Sequence, residues 1–358
     1  MKNIGIITIH SDTNYGAALQ AYALNQKLRL SGYNSEVLNY VKIPNNPRRY
    51  PFPINIAYHL MDFPRFYRYR SFLKSSISKK SWHSIDDMMN GFNEPYDVLI
   101  SGSDQVWNPT CGGLVDRINP LYYLAFADKD KYKKVAYASS LGSYRFNDNE
   151  KKVLCPWFNE YSHLSTREIE GKEHLESFLN RKVKVVLDPT LLLEPKEWRT
   201  VMNPVRKMKK EKYVLVYYID EIAECVEYAR KVADKNGWRV VMMTNAARRF
   251  PGVDINIPFV GPAEFLWLFE NANYICTNSF HGTAFAVNFN KDFISVIKRN
   301  SPQRAQTLLK NVGLEERLLT DINQVDKLPI TIDWALVNRK LEYLRKDSIN
   351  YLINAIEN

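Results

Sequence analysis

The sequence predicts an α/β protein built of two Rossmann-like domains and closed by a C-terminal helix. Apolar, β-rich runs alternate with amphipathic stretches from end to end, the pattern of parallel strands joined by crossover helices. At 358 residues and 41.8 kDa, with 45% apolar residues, the chain has material for two ordinary cores. A Lys-rich stretch, Arg206 to Lys212, separates two such alternating series.

The elements follow in order. Residues 4–10 (IGIITIH) read as a strand, residues 14–32 as a helix closed by Gly32, and residues 34–40 (NSEVLNY) as the next strand. In that helix Leu19, Tyr22, Ala23, Gln26 and Leu30 recur at helical spacing, and Ala17, Ala18 and Ala21 permit close packing on a sheet. YDVLISG, KVAYASSLG and YSHLSTRE read as further strands, the last followed by a helix through Leu179, and VKVVLDPTLLL ends the first half. In the second half YVLVYYI, WRVVMMT, NYICTN and DFISVI are strands, and residues 221–237, 262–272 and 281–290 are helices. A short helix around Ala305 to Val312 and a long one from Asp333 complete the chain. The expected domains are 1–195, with a basic aromatic insertion at about 41–90, then 196–330, then a C-terminal helix over 331–358. The boundary is expected near residues 192–212.

Composition excludes several classes. Charged residues at 25% and a mean hydropathy of −0.37 are ordinary for a soluble globular protein. No apolar run approaches the roughly 18–20 residues that span a bilayer. The apolar run near Met1 is too short for a secretory signal. Cys111, Cys155, Cys225 and Cys276 show no short Cys–Cys or Cys–His spacing, so neither a metal site nor a disulfide framework is expected, and a reducing cytoplasm fits.

The formal charge of +10 is unevenly placed. Between Val41 and Ile85 nine basic residues face the single acid Asp62, a net +8 that leaves +2 for the rest. Nine aromatic residues, among them Tyr58, Phe66, Tyr67, Tyr69 and Trp82, are interleaved with these cations. That mixture is compatible with an anionic membrane, a glycan acceptor or nucleic acid, and equally with packed aromatics under solvated charges. Nucleic acid is not expected, because no recognised nucleic-acid module accompanies the charge.

Ligands of open α/β sheets bind beyond the carboxyl ends of strands, so polar residues immediately after the strands are the candidates. The first group is Ser11 to Gly16, where Asn14, Tyr15 and Gly16 open a helix whose N–H groups suit an anion or merely await a cap. The second is Ser101 to Pro109: Ser103 and Asp104 offer a hydroxyl and a carboxylate, Gln105 and Trp107 offer hydrogen bonds and a ring for a sugar, and Asp104 alternatively caps a helix. The third is Ser165 to Glu168, where Arg167 suits a carboxylate or phosphate unless it pairs internally with Glu168 or Asp104. In the fourth, Thr277 to Thr283, Asn278 or Ser279 caps a helix with His281 in its first turn. The helix dipole there favours neutral imidazole, and Gly282 would let a ligand pass close.

NYGAALQAYAL, SGSDQVWNP, STREIEG, VLDPTLLL and TNSFHGTAFA, in that order and at similar spacing, resemble the polysaccharide pyruvyl transferase family over about residues 3–320. The resemblance implies a glycosyltransferase-B-like pair of Rossmann domains facing a cleft. It implies phosphoenolpyruvate as donor and a sugar of a surface polysaccharide, or of its lipid-linked oligosaccharide precursor, as acceptor. Donor binding and proton transfer are thereby carried to Arg167 and His281. Many members have an Arg two residues before that His, where this chain has Ser279. Lys298, Arg299 and Arg304 are the nearest cations to replace it, with Ser279 and Gly282 lining the donor site.

Forming a pyruvate ketal needs cations for carboxylate and phosphate, a proton acceptor and a proton donor. Arg167 with Lys298 or Arg304, then His281, then Asp104 or a recycled His281, are the expected suppliers. No metal and no cofactor are expected beyond phosphoenolpyruvate as co-substrate. The expected location is cytoplasmic, peripheral to the inner face of the plasma membrane through residues 41–85. Two rivals remain: a sugar-nucleotide-dependent glycosyltransferase, and a non-catalytic glycan-binding protein on the same scaffold.

Overall fold

The computed structural model describes residues 1–10, 13–41, 65–111, 118–219, 222–244, 250–296, 303–321, 323–324 and 332–358. The chain divides into two compact units, one drawn from Met1–Met61, Tyr69–Leu192 and Leu344–Asn358, the other from Asp62–Arg68 and Leu193–Tyr343.

The first unit opens with β1 (Asn3–Ile7), α1 (Tyr15–Leu30) and β2 (Asn34–Tyr40). A helix α2 over residues 65–73, whose residues 65–68 belong to the second unit, leads to β3 (Ile77–Trp82), α3 (Ile85–Gly91), β4 (Val98–Ser101) and β5 (Lys133–Ala136). The strands form one parallel sheet in the order β3-β2-β1-β4-β5. Ile4, Ile6, Ile7, Leu99 and Ile100 have no exposed surface, as strands covered on both faces require. Helix α1 is buried continuously from Tyr15 to Asn25, which its alanines make sterically possible. Asn14 caps it by accepting the Ala17 N–H at 3.3 Å.

Part of the segment expected as an insertion is sheet. Strand β3 pairs in parallel with β2, burying Ser78 and Trp82 and leaving Lys79 and Lys80 exposed, and Lys80 reaches Glu94 at 2.5 Å. An edge strand tolerates such charges, and they disguise it in the sequence. Residues 42–64, with Lys42, Arg48 and Arg49, lie outside the described residues.

The unit continues with α4 (Asp148–Asn159), β6 (Ser165–Thr166), α5 (Ile169–Leu179) and β7 (Lys184–Val185). The strand expected over 161–168 shrinks to β6, which pairs only with β7 and is joined to the main sheet side by single bridges, Val135 with His163 and Ser139 with Thr166. Helix α4, absent from the sequence reading, starts with a reciprocal cap between Asn147 and Glu150.

The second unit contains α6 (Pro195–Arg199), β8 (Tyr213–Tyr217), α7 (Ile222–Asn236), β9 (Arg239–Thr244), β10 (Ile255–Pro258) and α8 (Pro262–Asn271). It then runs through β11 (Tyr274–Thr277), α9 (Phe280–Asn288), β12 (Phe293–Val296), α10 (Gln303–Val312) and β13 (Leu318–Leu319). Its parallel sheet has the order β10-β9-β8-β11-β12-β13. Every residue of α9 is buried; Phe285 packs against Trp198 and Phe265, with ring centroids 5.3 and 5.6 Å away.

The last helix, α11 (Trp334–Glu357), begins in the second unit and ends in the first. There Arg345 donates to the Leu191 carbonyl at 2.8 Å, Ser348 accepts the Leu187 N–H at 2.9 Å, and Lys2 pairs with Glu357 at 2.9 Å. Among the described residues no helix is long and apolar enough to cross a membrane.

Candidate functional site

Each sheet reverses its strand order once, between β1 and β4 in the first unit and between β8 and β11 in the second. Loops leaving the carboxyl ends at such a reversal diverge and open a crevice. In the first unit these are the loops after Ile7 and Ser101, drawn together by the Thr8 hydroxyl donating to the Ser103 carbonyl at 2.8 Å. Gly102 makes the approach possible, because a Cβ there would stand 3.1 Å from Thr8 Cβ. In the second unit the loops after Tyr217 and Thr277 meet where the Ile219 N–H donates to Asn278 Oδ1 at 2.9 Å.

The first crevice is backed by an ion cluster that joins four distant stretches of sequence. Arg167, with a side chain 1% exposed, places Nε 2.9 Å from Glu168, Nη1 2.6 Å from Asp188 and Nη2 3.5 Å from Asp104. Ser103 donates to Asp188 at 2.9 Å, Ser140 donates to Glu168 at 2.6 Å, and the Thr190 amide and hydroxyl both donate to Asp188. Burial opposes the charge of Arg167, but Glu168, Asp188 and Asp104 outweigh it and hold the guanidinium protonated above its ordinary range. The ion pairs described for the guanidinium are thus with carboxylates of its own unit. The internal pairing of Arg167 is therefore the arrangement present.

Asp104 differs from its partners. Its side chain is 14% exposed and its backbone sits at φ 71°, a left-handed conformation costly for a residue with a Cβ. Its carboxylate accepts the Gln105 N–H at 2.9 Å and its carbonyl accepts the Ser140 N–H at 3.0 Å, which hold the turn. Gln105 is half-buried and accepts from Asn108 at 3.0 Å. Asn14 is exposed, while Tyr15 is buried and meets the ring of Tyr69 at 5.4 Å.

Trp107 corrects the sequence reading. It has no exposed surface, packs among Tyr123, Phe158 and Tyr161, and donates its indole N–H to the Tyr122 carbonyl at 3.2 Å. It is a core residue and offers no ring to a sugar. Ser103, likewise fully buried, belongs to the ion cluster.

In the second unit Ser279 caps α9 by accepting the Gly282 N–H at 3.4 Å, and its own N–H donates to Thr277 Oγ1 at 3.1 Å. Thr283 returns to the Ser279 carbonyl and reaches Ser295, so Ser279, 1% exposed, is structural. Gly282 also changes role: a Cβ there would lie 2.2 Å from Thr277 Oγ1, so the glycine seats α9 on β11 and opens no ligand path. His281 follows the cap, 6% exposed, with its ring 5.2 Å from that of Phe280. The guanidinium of Arg304 in α10 also lies against Phe280, 6.0 Å from its ring centroid. Of the candidate cations only Arg304 is among the described residues; Lys298 and Arg299 lie outside them.

The family model described as polysaccharide pyruvyl transferase matches residues 14–300, four-fifths of the chain. The chain belongs to the polysaccharide pyruvyl transferase family. No curated protein matches it in sequence. In fold this transferase is similar to a UDP-GlcNAc 2-epimerase from Neisseria meningitidis (10% identity, 99% of each chain, TM-score 0.54). It is also similar to the UDP-GlcNAc 2-epimerase of Methanocaldococcus jannaschii (15% identity, 98% of each chain, TM-score 0.51). An alpha-glucosyltransferase in complex with UDP and DNA is similar as well (10% identity, all of each chain, TM-score 0.53). These likenesses establish the α/β two-domain, glycosyltransferase-B-type fold.

Sequence reasoning about the transferase passed over Asp188, whose only signal was an acid before Pro189 at the end of an apolar run. It also passed over His10, buried beyond β1 with Nδ1 3.1 Å from the Thr8 carbonyl. Among the described residues no three His, Cys, Asp or Glu side chains are grouped to hold a metal ion.

Proposed function

We propose that this transferase moves the pyruvyl group of phosphoenolpyruvate onto two hydroxyls of one sugar in a polysaccharide or its lipid-linked precursor, forming a cyclic ketal. The observation that supports it best is the arrangement of Arg304, Phe280 and His281 at the carboxyl end of β11. Arg304 and His281, each packed against the Phe280 ring at a helix start, would supply a cation and a proton acceptor for a dianionic phosphate whose departure accompanies proton transfer.

In this reading a proton adds to the methylene carbon of the donor, making a methyl group and a cationic carbon stabilised by the attached oxygen. One sugar hydroxyl attacks that carbon and gives its proton to His281 Nε2 or Nδ1. The carbon–oxygen bond to phosphate then breaks, and the second hydroxyl closes the ring. Of the two hydroxyl protons, one ends on the methyl group and one on phosphate, so His281 returns to its starting state. Arg304 is assigned to the phosphate, with Lys298 a further candidate for the carboxylate.

Asp104 is the second proton-transfer group in this proposal. Its strained turn and partial exposure suit a group that meets a ligand, and Arg167 acts on it from behind as a positioning residue. Asn14 and Gln105 are assigned to the acceptor.

The test is thermal unfolding of the full chain with phosphoenolpyruvate, UDP-GlcNAc or UDP-glucose. A ligand at about 100 times its dissociation constant stabilises by about 2.7 kcal/mol. A shift with phosphoenolpyruvate that Arg304→Ala abolishes is expected. A shift with the nucleotide sugars alone would favour a glycosyltransferase.

A further inference from the structure

Helix α2 is amphipathic in an unusual sense. Tyr69 and Leu73 are buried, and Tyr69 and Phe72 meet Tyr15 and Tyr22 of α1, with ring centroids 5.4 and 4.9 Å apart. Those contacts fix which side of the helix faces inward. The opposite side carries Phe66, Tyr67, Arg70 and Ser71 and continues to Lys74 in the following turn, all exposed. Phe66 is 46% and Tyr67 63% exposed, and among the described residues no other two consecutive large hydrophobic residues are exposed. The core does not use them, and their position costs solvation.

The surroundings are cationic. From Arg65 to Ile85 there are six Lys or Arg residues and no acid. Arg68 is engaged, donating to the Phe259 carbonyl at 2.8 Å, and Lys80 pairs with Glu94. Arg70, Lys74 and Lys79 are exposed.

We propose that the outward face of α2 is a peripheral docking surface for an anionic lipid bilayer. Aromatic rings at the water–lipid boundary flanked by cations match a negatively charged leaflet in both apolar depth and charge. The occupant is chosen by that complementarity. A nucleic acid would be met by a longer track of cations than one helical face supplies. Bilayer docking also holds the enzyme where a lipid-linked acceptor resides, yet it is independent of the proposed donor because it is read without substrates.

The experiment is co-sedimentation of the full chain with vesicles of phosphatidylcholine alone or mixed with phosphatidylglycerol. Binding is expected only to the anionic vesicles and should weaken between about 50 and 500 mM NaCl, as screening shortens the reach of the charges. Arg70→Gln with Lys74→Gln should bind about 30-fold more weakly, two charges being removed from the membrane-facing side. Phe66→Ser with Tyr67→Ser should lose binding while keeping every charge. Lys207→Gln with Lys209→Gln removes two charges from another exposed basic turn and should bind like the parent. Equal weakening in that control, absence of vesicle binding by the parent, or capture of a single-stranded oligonucleotide in place of vesicles would overturn the proposal. Since the substituted side chains are exposed, all variants should melt like the parent, which separates lost binding from lost fold.

Discussion

Arg167 Nη1 lies 2.6 Å from Asp188 Oδ2, with both side chains at 1% exposure or less. The contact ties the start of α5 to the turn before Leu191, and through Asp104 and Ser103 it reaches the loop after β4. Three segments far apart in sequence are thus held by one guanidinium.

Removing that guanidinium should cost stability first. Arg167→Ala takes the cation away from the buried Glu168 and Asp188 and from the partly exposed Asp104, a change that for buried carboxylates typically costs about 3–5 kcal/mol. Arg167→Lys keeps the charge but not the fork, and should lose less. Urea unfolding checks this. An alanine variant with parental stability and lost donor affinity would make Arg167 a direct donor ligand.

Gly282→Ala should disturb the site through packing. The added methyl would sit 2.2 Å from Thr277 Oγ1 and 2.9 Å from Thr277 Cβ, so α9 must move off β11. Such overpacking costs about 1–3 kcal/mol. Because His281 precedes Gly282, turnover should fall more than binding. A variant with full activity and an unchanged melting temperature would show that the helix start has slack.

His174 should make the first unit acid-sensitive. Burial, with Arg145 and Lys151 nearby, lowers its pKa to about 4, and its Nε2 accepts the Phe146 N–H at 2.9 Å. Unfolded histidine titrates near 6.5, so between about pH 6.5 and 4 the unfolded chain binds more protons than the folded one. The stability contributed by neutral His174 is therefore present above pH 6.5 and declines as pH falls towards 4. Comparing the parent with His174→Asn by thermal unfolding across that range isolates the effect, and the parent's advantage should shrink on the acid side. A constant difference would mean the imidazole is not held neutral.

Much of the fold is legible in the sequence because buried parallel strands are continuous apolar runs: β1, β4, β8 and β11 stand out in this way. Strand β3 does not, since an edge strand with Lys79 and Lys80 exposed reads as a charged insertion. Strand β6, two residues long, offers no periodicity. At the site the loops are legible because polar residues follow apolar runs, whereas the exposure of each side chain is tertiary. Trp107 and Arg167 look like ligand residues by type and prove to be buried. Asp188 is invisible as a partner until α5 and the turn after Leu187 come together.

The central claim is that pyruvate is transferred from phosphoenolpyruvate with His281 moving the proton. Proton NMR of a reaction containing phosphoenolpyruvate and a lipid-linked oligosaccharide extract measures it most directly. The parent should produce a new ketal methyl signal and one phosphate per methyl, and His281→Asn should lower the rate about 100-fold or more while melting near the parent temperature. No methyl signal with phosphoenolpyruvate, together with UDP release from a nucleotide sugar under the same conditions, would contradict it.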